Sequence, residues 1–294
     1  MAQQNPAAQA PTKKRSQAQE VWMRLKKNKQ AMAGLFVFIV ICIIAISAPL
    51  FIDYDTQVVQ QNIPNKIKPP SAEHPLGTDA LGRDVMARLI YGARISLTIG
   101  LITAISALTI GGLIGAVAGF YGGKLDDILM RIMDIFLSLP SMLLAIAVIA
   151  SLGSGITNIM IAVAVSYIPY YARIIRSSVL SIRNKEYIES ARAIGTSDFR
   201  IIMKHIIPNA IGPVIVQATL GVGEIIISAA GLSFLGLGIE PPLPEWGKML
   251  SEGKEVIRSS PYLVIFPGLC IMTTVLSLNL LGDGLRDALD PRLK

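Results

Sequence analysis

The side chains able to do covalent chemistry are few, and they are not spaced for it. The chain has two histidines, His74 and His205, and neither lies in the apolar run that contains Gly231-Leu232-Ser233-Phe234, so Ser233 has no base to make it a nucleophile. Ser251-Glu252-Gly253-Lys254 has SxxK spacing, but the SDN and KTG companions are missing and chance accounts for it. No GxxxxGK[ST] loop is present to cradle a nucleotide phosphate, and no HExxH pair to hold zinc. Both cysteines, Cys42 and Cys270, sit inside apolar runs, where a thiol packs as a small hydrophobe. No catalytic residue and no metal site emerge. Two features of non-covalent kind stand out instead. Glu224 is a single carboxylate deep in an apolar run, the chemistry of a polar pathway or a subunit contact, or else of a carboxylate satisfied by a neighbouring helix and silent. Residues 186–209, EYIESARAIGTSDFRIIMKHIIPN, are a charged interruption between two such runs.

The elements that must position these residues are spans. Hydrophobic residues make up 52% of the chain and charged residues 16%, against about 25% charged in a soluble domain. The apolar surplus is gathered into six runs, at 31–51, 95–120, 132–150, 156–175, 210–232 and 262–281. Each is close to the roughly 20 residues that a helix needs to cross about 30 Å of hydrocarbon. An all-α membrane protein with six transmembrane helices is expected. Lys13, Lys14, Arg15, Arg24, Lys26, Lys27 and Lys29 crowd the N-terminal tail, against Glu20 alone. Arg173, Arg176, Arg183, Lys185, Arg192, Arg200 and Lys204 crowd the connection between the fourth and fifth runs. An even number of crossings separates the two, so they share a side, and the positive-inside rule makes it the cytoplasm. Both termini are then cytoplasmic, while 52–94 and 233–261 face outward. This asymmetry accounts for the net charge of +7, and no nucleic-acid partner is called for. The first run is too long for a signal-peptide core and reads as a retained anchor. No internal repeat is found, and the Ala/Gln-rich first ten residues are expected to be disordered.

The interrupting segment is thus cytoplasmic. Helical spacing places Tyr187, Ala191 and Ile194 on one face and Lys185, Glu189 and Arg192 on the other. Gly195 falls where a helix end wants positive φ, and Ser197 is placed to cap a second helix with Asp198 in its first turn. That helix is expected to bury Phe199, Ile202, Met203 and Ile206 until Pro208 stops the pattern. Periodicity leaves two readings open: a helix–bend–helix projecting from the membrane, or an amphipathic hairpin lying on its surface. In the second run, Gly111, Gly115 and Gly119 recur at intervals of four, a stripe that lets another helix approach closely. Leu81, Val85, Leu89 and Ile90 mark one side of a helix expected to begin near Asp79 and to rest at the outer interface.

The spacing Glu189-Ser190-Ala191, three residues, Gly195, then a run ending in Pro208 resembles the EAA motif of ABC importer permeases, with Ser190 where the motif usually has Ala. HPLGTDALGRDVMARLIYGARISL from His74, FYGGKLDDILMRIMDIFLSLPSMLLAI from Phe120, GLSFLGLGIEPPLPEWGKML from Gly231 and NLLGDGLRDALDPRLK at the C-terminus are similar to the dipeptide/oligopeptide/nickel branch of that family, and to its C-type subunit. The resemblance runs from the first span to the last residue. It implies the type I ABC importer transmembrane fold: a basic tail at 1–30, a first span at 31–52, an external loop at 53–93, and a five-helix core at 94–283 with its coupling loop at 176–208, then a tail at 284–294. It implies that the loop docks on an ATPase and transmits ATP-driven closure, with Glu186, Glu189, Ala191, Gly195, His205 and Pro208 in the coupling element. Asp126, Asp127, Arg131 and Asp134 would add a smaller contact. Pro241, Pro242, Glu245 and Trp246 would receive an external binding protein. The implied partners are a homologous second permease, two ABC ATPases, that binding protein, the bilayer and a peptide substrate. ATP and Mg would be used by the ATPases and no cofactor bound by this chain. The place would be a bacterial or archaeal cytoplasmic membrane. A self-contained ion-coupled carrier is the other class, but it commonly has repeated halves and several coupling charges, which are not found here.

Overall fold

The computed structural model describes residues 17–290, and every regular element among them is helical. The Ala/Gln-rich opening and Lys13, Lys14 and Arg15 lie outside the described residues. Helix α1, Gln17–Lys27, is separated from α2, Lys29–Phe51, by Asn28. The Asn28 side chain accepts from the N–H groups of Gln30 and Ala31, both at 3.1 Å, and so caps α2.

Helix α3, Val85–Tyr121, opens on Asp84, which accepts from the Ala87 N–H at 2.8 Å. It corrects the expected pair of an interfacial helix and a separate span. The two are one helix of 37 residues, about 55 Å long, with Leu81 outside it and Val85 and Leu89 buried. Arg88 lies within this helix, its guanidinium buried and paired, so its charge does not end it. The expected straight span at 132–150 is likewise corrected. Helices α4, Gly123–Leu137, and α5, Ser141–Leu152, meet at 88°. Pro140 between them has no N–H to continue the ladder and adopts an extended ψ of 128°.

Helix α6, Ile156–Ile182, leads to α7, Glu186–Ala193, and α8, Asp198–Ile201. A π turn at Ile202–Ile206 joins α8 to α9, Ile207–Leu232, so the helical run continues through Pro208 rather than stopping at it. Pro208 stands in the first turn of α9, next to a wide turn, where the missing N–H costs least. Helix α10, Trp246–Lys254, and α11, Tyr262–Leu289, complete the chain. Five helical runs among the described residues are long and apolar enough to cross a bilayer; the bent α4–α5 pair is a sixth if it crosses as a broken span.

The glycine stripe of α3 packs on α6. A Cβ on Gly111 would come within 2.5 Å of the Ile168 carbonyl oxygen, and one on Gly115 would overlap the Ala172 carbonyl. The main core lies among α3, α5, α6, α9, α10 and α11, around Ile99, Ile159, Val163, Ile225 and Trp246. Helices α7 and α10 cap opposite ends of this bundle. The two described ends of the chain meet at the α7 end, where Leu25 of α1 packs on Ala31 and Ala288.

Candidate functional site

At one end of the bundle, α7, α8 and the π turn form a compact bracket fused to the spans. Ile188 and Ala191 of α7, Ile201 of α8 and Ile206 of the π turn are buried together against Phe120 of α3, Val179 and Ile182 of α6 and Ala210 of α9. Arg192 lies 5.1 Å from the centre of the Phe120 ring, and Arg183 Nη1 donates to the Gly119 carbonyl at 2.8 Å. Gly195 has φ +78°, as a left-handed helix end requires, and the N–H groups of Gly195 and Thr196 bond back to Arg192 and Ala191 at 2.9 and 3.0 Å. The bracket cannot swing without breaking this packing, and it is not a hairpin attached by its ends alone.

The faces differ from those expected. Ile188, not Tyr187 or Ile194, turns inward with Ala191, so Ala191 packs on its own chain instead of standing free for a partner. Ile194 is 83% exposed and Phe199 75% exposed, and Tyr187 and Met203 are exposed beside them, which corrects the expectation that Phe199 and Met203 enter the core. The backbone explains two of these shifts: Ile194 lies beyond the helix end, and the π turn rotates Met203 relative to an α-helical count. Ser197 sits at the N-terminal cap position of α8 without a side-chain hydrogen bond to it. Glu186 and Glu189 are exposed, Ser190 Oγ donates to the Glu186 carbonyl at 2.8 Å, and His205 is half-buried in the π turn. Asp126 does not stand open for the smaller contact expected of it. It is buried, and both its oxygens accept from Arg176, at 2.5 and 2.6 Å, tying α4 to α6. Asp134 accepts from Arg173 at 2.5 Å.

The opposite end corrects the reading of Glu245 and Trp246 as surface-docking residues. Each is 2% exposed. Glu245 caps α10 by accepting from Gly247 and Lys248 N–H, each at 2.8 Å, and from Ser96 Oγ at 3.3 Å. Trp246 Nε1 donates to the Leu89 carbonyl at 3.0 Å, its ring lying over Gly92. Both side chains are spent on fixing α10 to α3. Of the four expected docking residues, Pro241 and Pro242 are exposed. Burial pushes the Glu245 carboxyl above the ordinary range, against the hydrogen bonds that favour its ionised form.

Nearby is a charge cluster that sequence reading missed. Asp79 Oδ2 accepts from Arg83 Nε at 2.7 Å, and Glu252 Oε2 accepts from Arg83 Nη2 at 3.0 Å and Arg88 Nη2 at 3.3 Å. Arg88 Nε makes an ionic contact of 3.4 Å with Asp79, and Arg88 Nη1 donates to the Val58 carbonyl at 3.2 Å. A cleft of about 960 Å³ opens beside it between α2 and α3, where His74 Nδ1 lies 2.9 Å from Asp84 Oδ2. His74 and His205 are at opposite ends of the bundle. Available signals were the i,i+4 pair Asp79–Arg83 and an arginine at the head of an apolar helix.

Between the ends, Glu224 is exposed on α9 and has no hydrogen bond or ion pair among the described residues. Gln217 and Ser228 share its face at helical spacing. Tyr170 Oη donates to Gln217 Oε1 at 2.9 Å, and Tyr167 Oη lies 3.1 Å from Ser228 Oγ. A polar strip therefore runs along one side of the α6–α9 pair.

Sequence and structure comparisons agree with this anatomy. Residues 111–294 match the family described as binding-protein-dependent transport system inner membrane component, and residues 16–70 match the N-terminal TM domain of oligopeptide transport permease C. The chain is 48% identical to a dipeptide transport system permease protein, DppC, of Alkalihalophilus pseudofirmus, over 94% of this chain and 90% of that protein. It is 45% identical to a glutathione transport system permease protein, GsiD, of Pectobacterium atrosepticum, over 94% of this chain and 91% of that one. A di/tripeptide transport system permease protein of Pseudomonas aeruginosa is 44% identical, over 95% and 93%. In structure, the chain is similar to a subunit of the MetNI methionine ABC transporter in an inward-facing conformation. The TM-score is 0.58 at 19% identity, and the match covers 70% of this chain and 97% of that one, a likeness of fold.

Proposed function

The chain belongs to the binding-protein-dependent transport system inner membrane component family, and we propose that it forms half of the translocation pathway of an ATP-driven importer of small peptides. Membership carries the general part: it is a multi-pass inner-membrane permease of the ABC importer class, and such a permease implies ATPase and binding-protein partners. The finer assembly is our reading: one homologous permease, two ATPases that bind and hydrolyse ATP with Mg, and one external binding protein. Relatives named for dipeptides, di/tripeptides and glutathione support a small-peptide cargo.

The observation that carries the coupling role is the bracket of α7 and α8. A movable ATPase can rotate membrane helices only through a stiff lever, and Ile188, Ala191, Ile201 and Ile206 weld this one to α3, α6 and α9. Its exposed apolar residues, Tyr187, Ile194 and Phe199, with Glu186 and Glu189 beside them, are left for a partner. The basic residues of the α7 end support placing that end, with both termini, in the cytoplasm. ATP-driven approach of two such brackets opens the pathway outward, and hydrolysis resets it. An ion-coupled carrier is disfavoured by family membership and would have no use for a partner-facing lever.

The test is copurification of the detergent-solubilised complex with Ile194→Glu and Gly195→Pro. Ile194→Glu removes apolar contact without touching the fold, and Gly195→Pro denies the φ of +78°. Both variants should lose the ATPases, or uncouple ATP hydrolysis from uptake, while retaining the companion permease. A chain that purifies alone and transports without ATP, with both variants behaving as wild type, would overturn the proposal.

A further inference from the structure

Glu224 is the residue whose position most needs an explanation. It lies inside a span, is exposed on the isolated chain, and has no partner among the described residues. Hydrocarbon is a costly environment for a carboxylate, so this face of α9 is covered by protein or by a water-filled path. The residues around it are those of a path. Gln217, Glu224 and Ser228 line up along one side of α9 over about 16 Å of helix. Tyr170 and Tyr167 of α6 bond to the first and last of them. Tyr171, fully buried, ends against Gly221, on the turn between Gln217 and Glu224, and its hydroxyl has no hydrogen-bond partner. The strip is therefore rich in hydroxyl and amide groups with unused capacity, and it holds one negative charge. No lysine or arginine occurs in α9, or in α6 before Arg173.

That asymmetry selects a chemistry. An extended tripeptide spans about 10 Å, so it fits the strip. Its ammonium group has a partner here and its carboxylate has none. Resting on the peptide-importer reading above, we propose that Glu224 receives the α-ammonium group of a peptide in transit, while Tyr167, Tyr170, Gln217 and Ser228 offer hydrogen bonds to its amides. The site is a passing station: one charge-assisted contact and several neutral ones hold a solute loosely enough to let it go.

The experiment uses the whole complex in proteoliposomes, with binding protein saturated by dipeptide so that the rate reports passage and not capture. Glu224→Gln and Glu224→Asp are compared with wild type for a lysine-containing and a glutamate-containing dipeptide, alongside assembly and ATPase activity. Glu224→Gln should assemble, hydrolyse ATP, and pass both peptides roughly tenfold more slowly, the scale of one lost charge-assisted hydrogen bond. Both carry an α-ammonium group, so they should slow to a similar extent, and Glu224→Asp should restore most of the rate. Unchanged rates, a fall confined to the lysine peptide, or no recovery with Glu224→Asp would overturn the proposal. So would loss of the companion permease, which would mean that Glu224 pairs with a cation on that chain. Absence of ATP-driven uptake in wild type would instead sink the importer reading beneath it.

Discussion

The cluster of Asp79, Arg83, Arg88 and Glu252 yields a prediction whose size can be worked from its contacts. Two guanidinium groups face two carboxylates, Arg88 being 1% exposed, and the four side chains tie the external loop and the head of α3 to α10. Glu252→Gln keeps the shape but leaves two cations against Asp79 alone. Breaking a buried pair from one side costs about 3–5 kcal/mol, because the remaining charge is uncompensated. Arg88→Met leaves two carboxylates against Arg83 and should cost about the same. The double substitution Arg88→Met with Glu252→Leu leaves Asp79 and Arg83 balanced, at 2.7 Å. What remains is the Val58 carbonyl, which loses the Arg88 donor at 3.2 Å, a penalty of about 1–3 kcal/mol. The double variant should therefore be more stable than either single one. Thermal unfolding of the purified complex measures this. At roughly 2 °C per kcal/mol, the single variants should melt about 6–10 °C low and the double variant about 2–6 °C low. Single variants that melt with wild type, or a double variant that melts at the sum of the two, would refute the claim that these charges act as one balanced unit.

Two further outcomes are expected. Gly115→Ala places a Cβ on the Ala172 carbonyl, so α3 and α6 must part; overpacking of this kind costs about 1–3 kcal/mol, and a lower melting temperature with reduced yield in detergent would register it. Glu245 gives a pH dependence. Its folded-state carboxyl titrates above the ordinary range, so its contribution to stability is fully present below the unfolded value and is lost as pH rises through the folded one. Melting temperature should fall with rising pH across that window, and Glu245→Gln, which needs no proton, should flatten the slope; an unchanged slope in the variant would assign the dependence to other groups.

The spans and the end-to-end arrangement were legible because long apolar runs admit little else in a membrane protein. The breaks in those runs were harder to read. Counting apolar residues across 132–150 averages over Pro140, although the consequence of that single missing N–H is the 88° bend. The pairing of Arg88 was out of reach for another reason: its partners Asp79, Glu252 and the Val58 carbonyl come from segments 9, 164 and 30 residues away, and no local window contains them. Glu252 looked idle in its chance SxxK spacing for the same reason.

The segment from Glu186 to Asn209 shows where periodicity reaches its limit. Its elements were legible from local chemistry: Gly195 does adopt the left-handed turn, and Asp198 does open a helix. Its faces were not. A 3.6-residue count assumes an unbroken α-helix, and here the register passes through a bend and then a π turn at Ile202–Ile206, each rotating the residues beyond it. Within the π turn the count assigned Met203 to the core. It also assigned Phe199 there and passed over Ile188 and Ile201, which precede that turn and fix the bracket to the spans. A similar limit applies at the other end, where the resemblance implied that Pro241 to Trp246 of the outer loop receive a binding protein. Tryptophan and glutamate are there because α10 must be anchored to α3, and a Trp N–H bonded to Leu89 and a Glu capping two backbone N–H groups do that. Position in a loop says where the backbone runs; only packing says which side chains remain for a partner. Among the residues singled out above, packing leaves exposed Ile194 and Phe199 at one end, Pro241 and Pro242 at the other, and Glu224 between them.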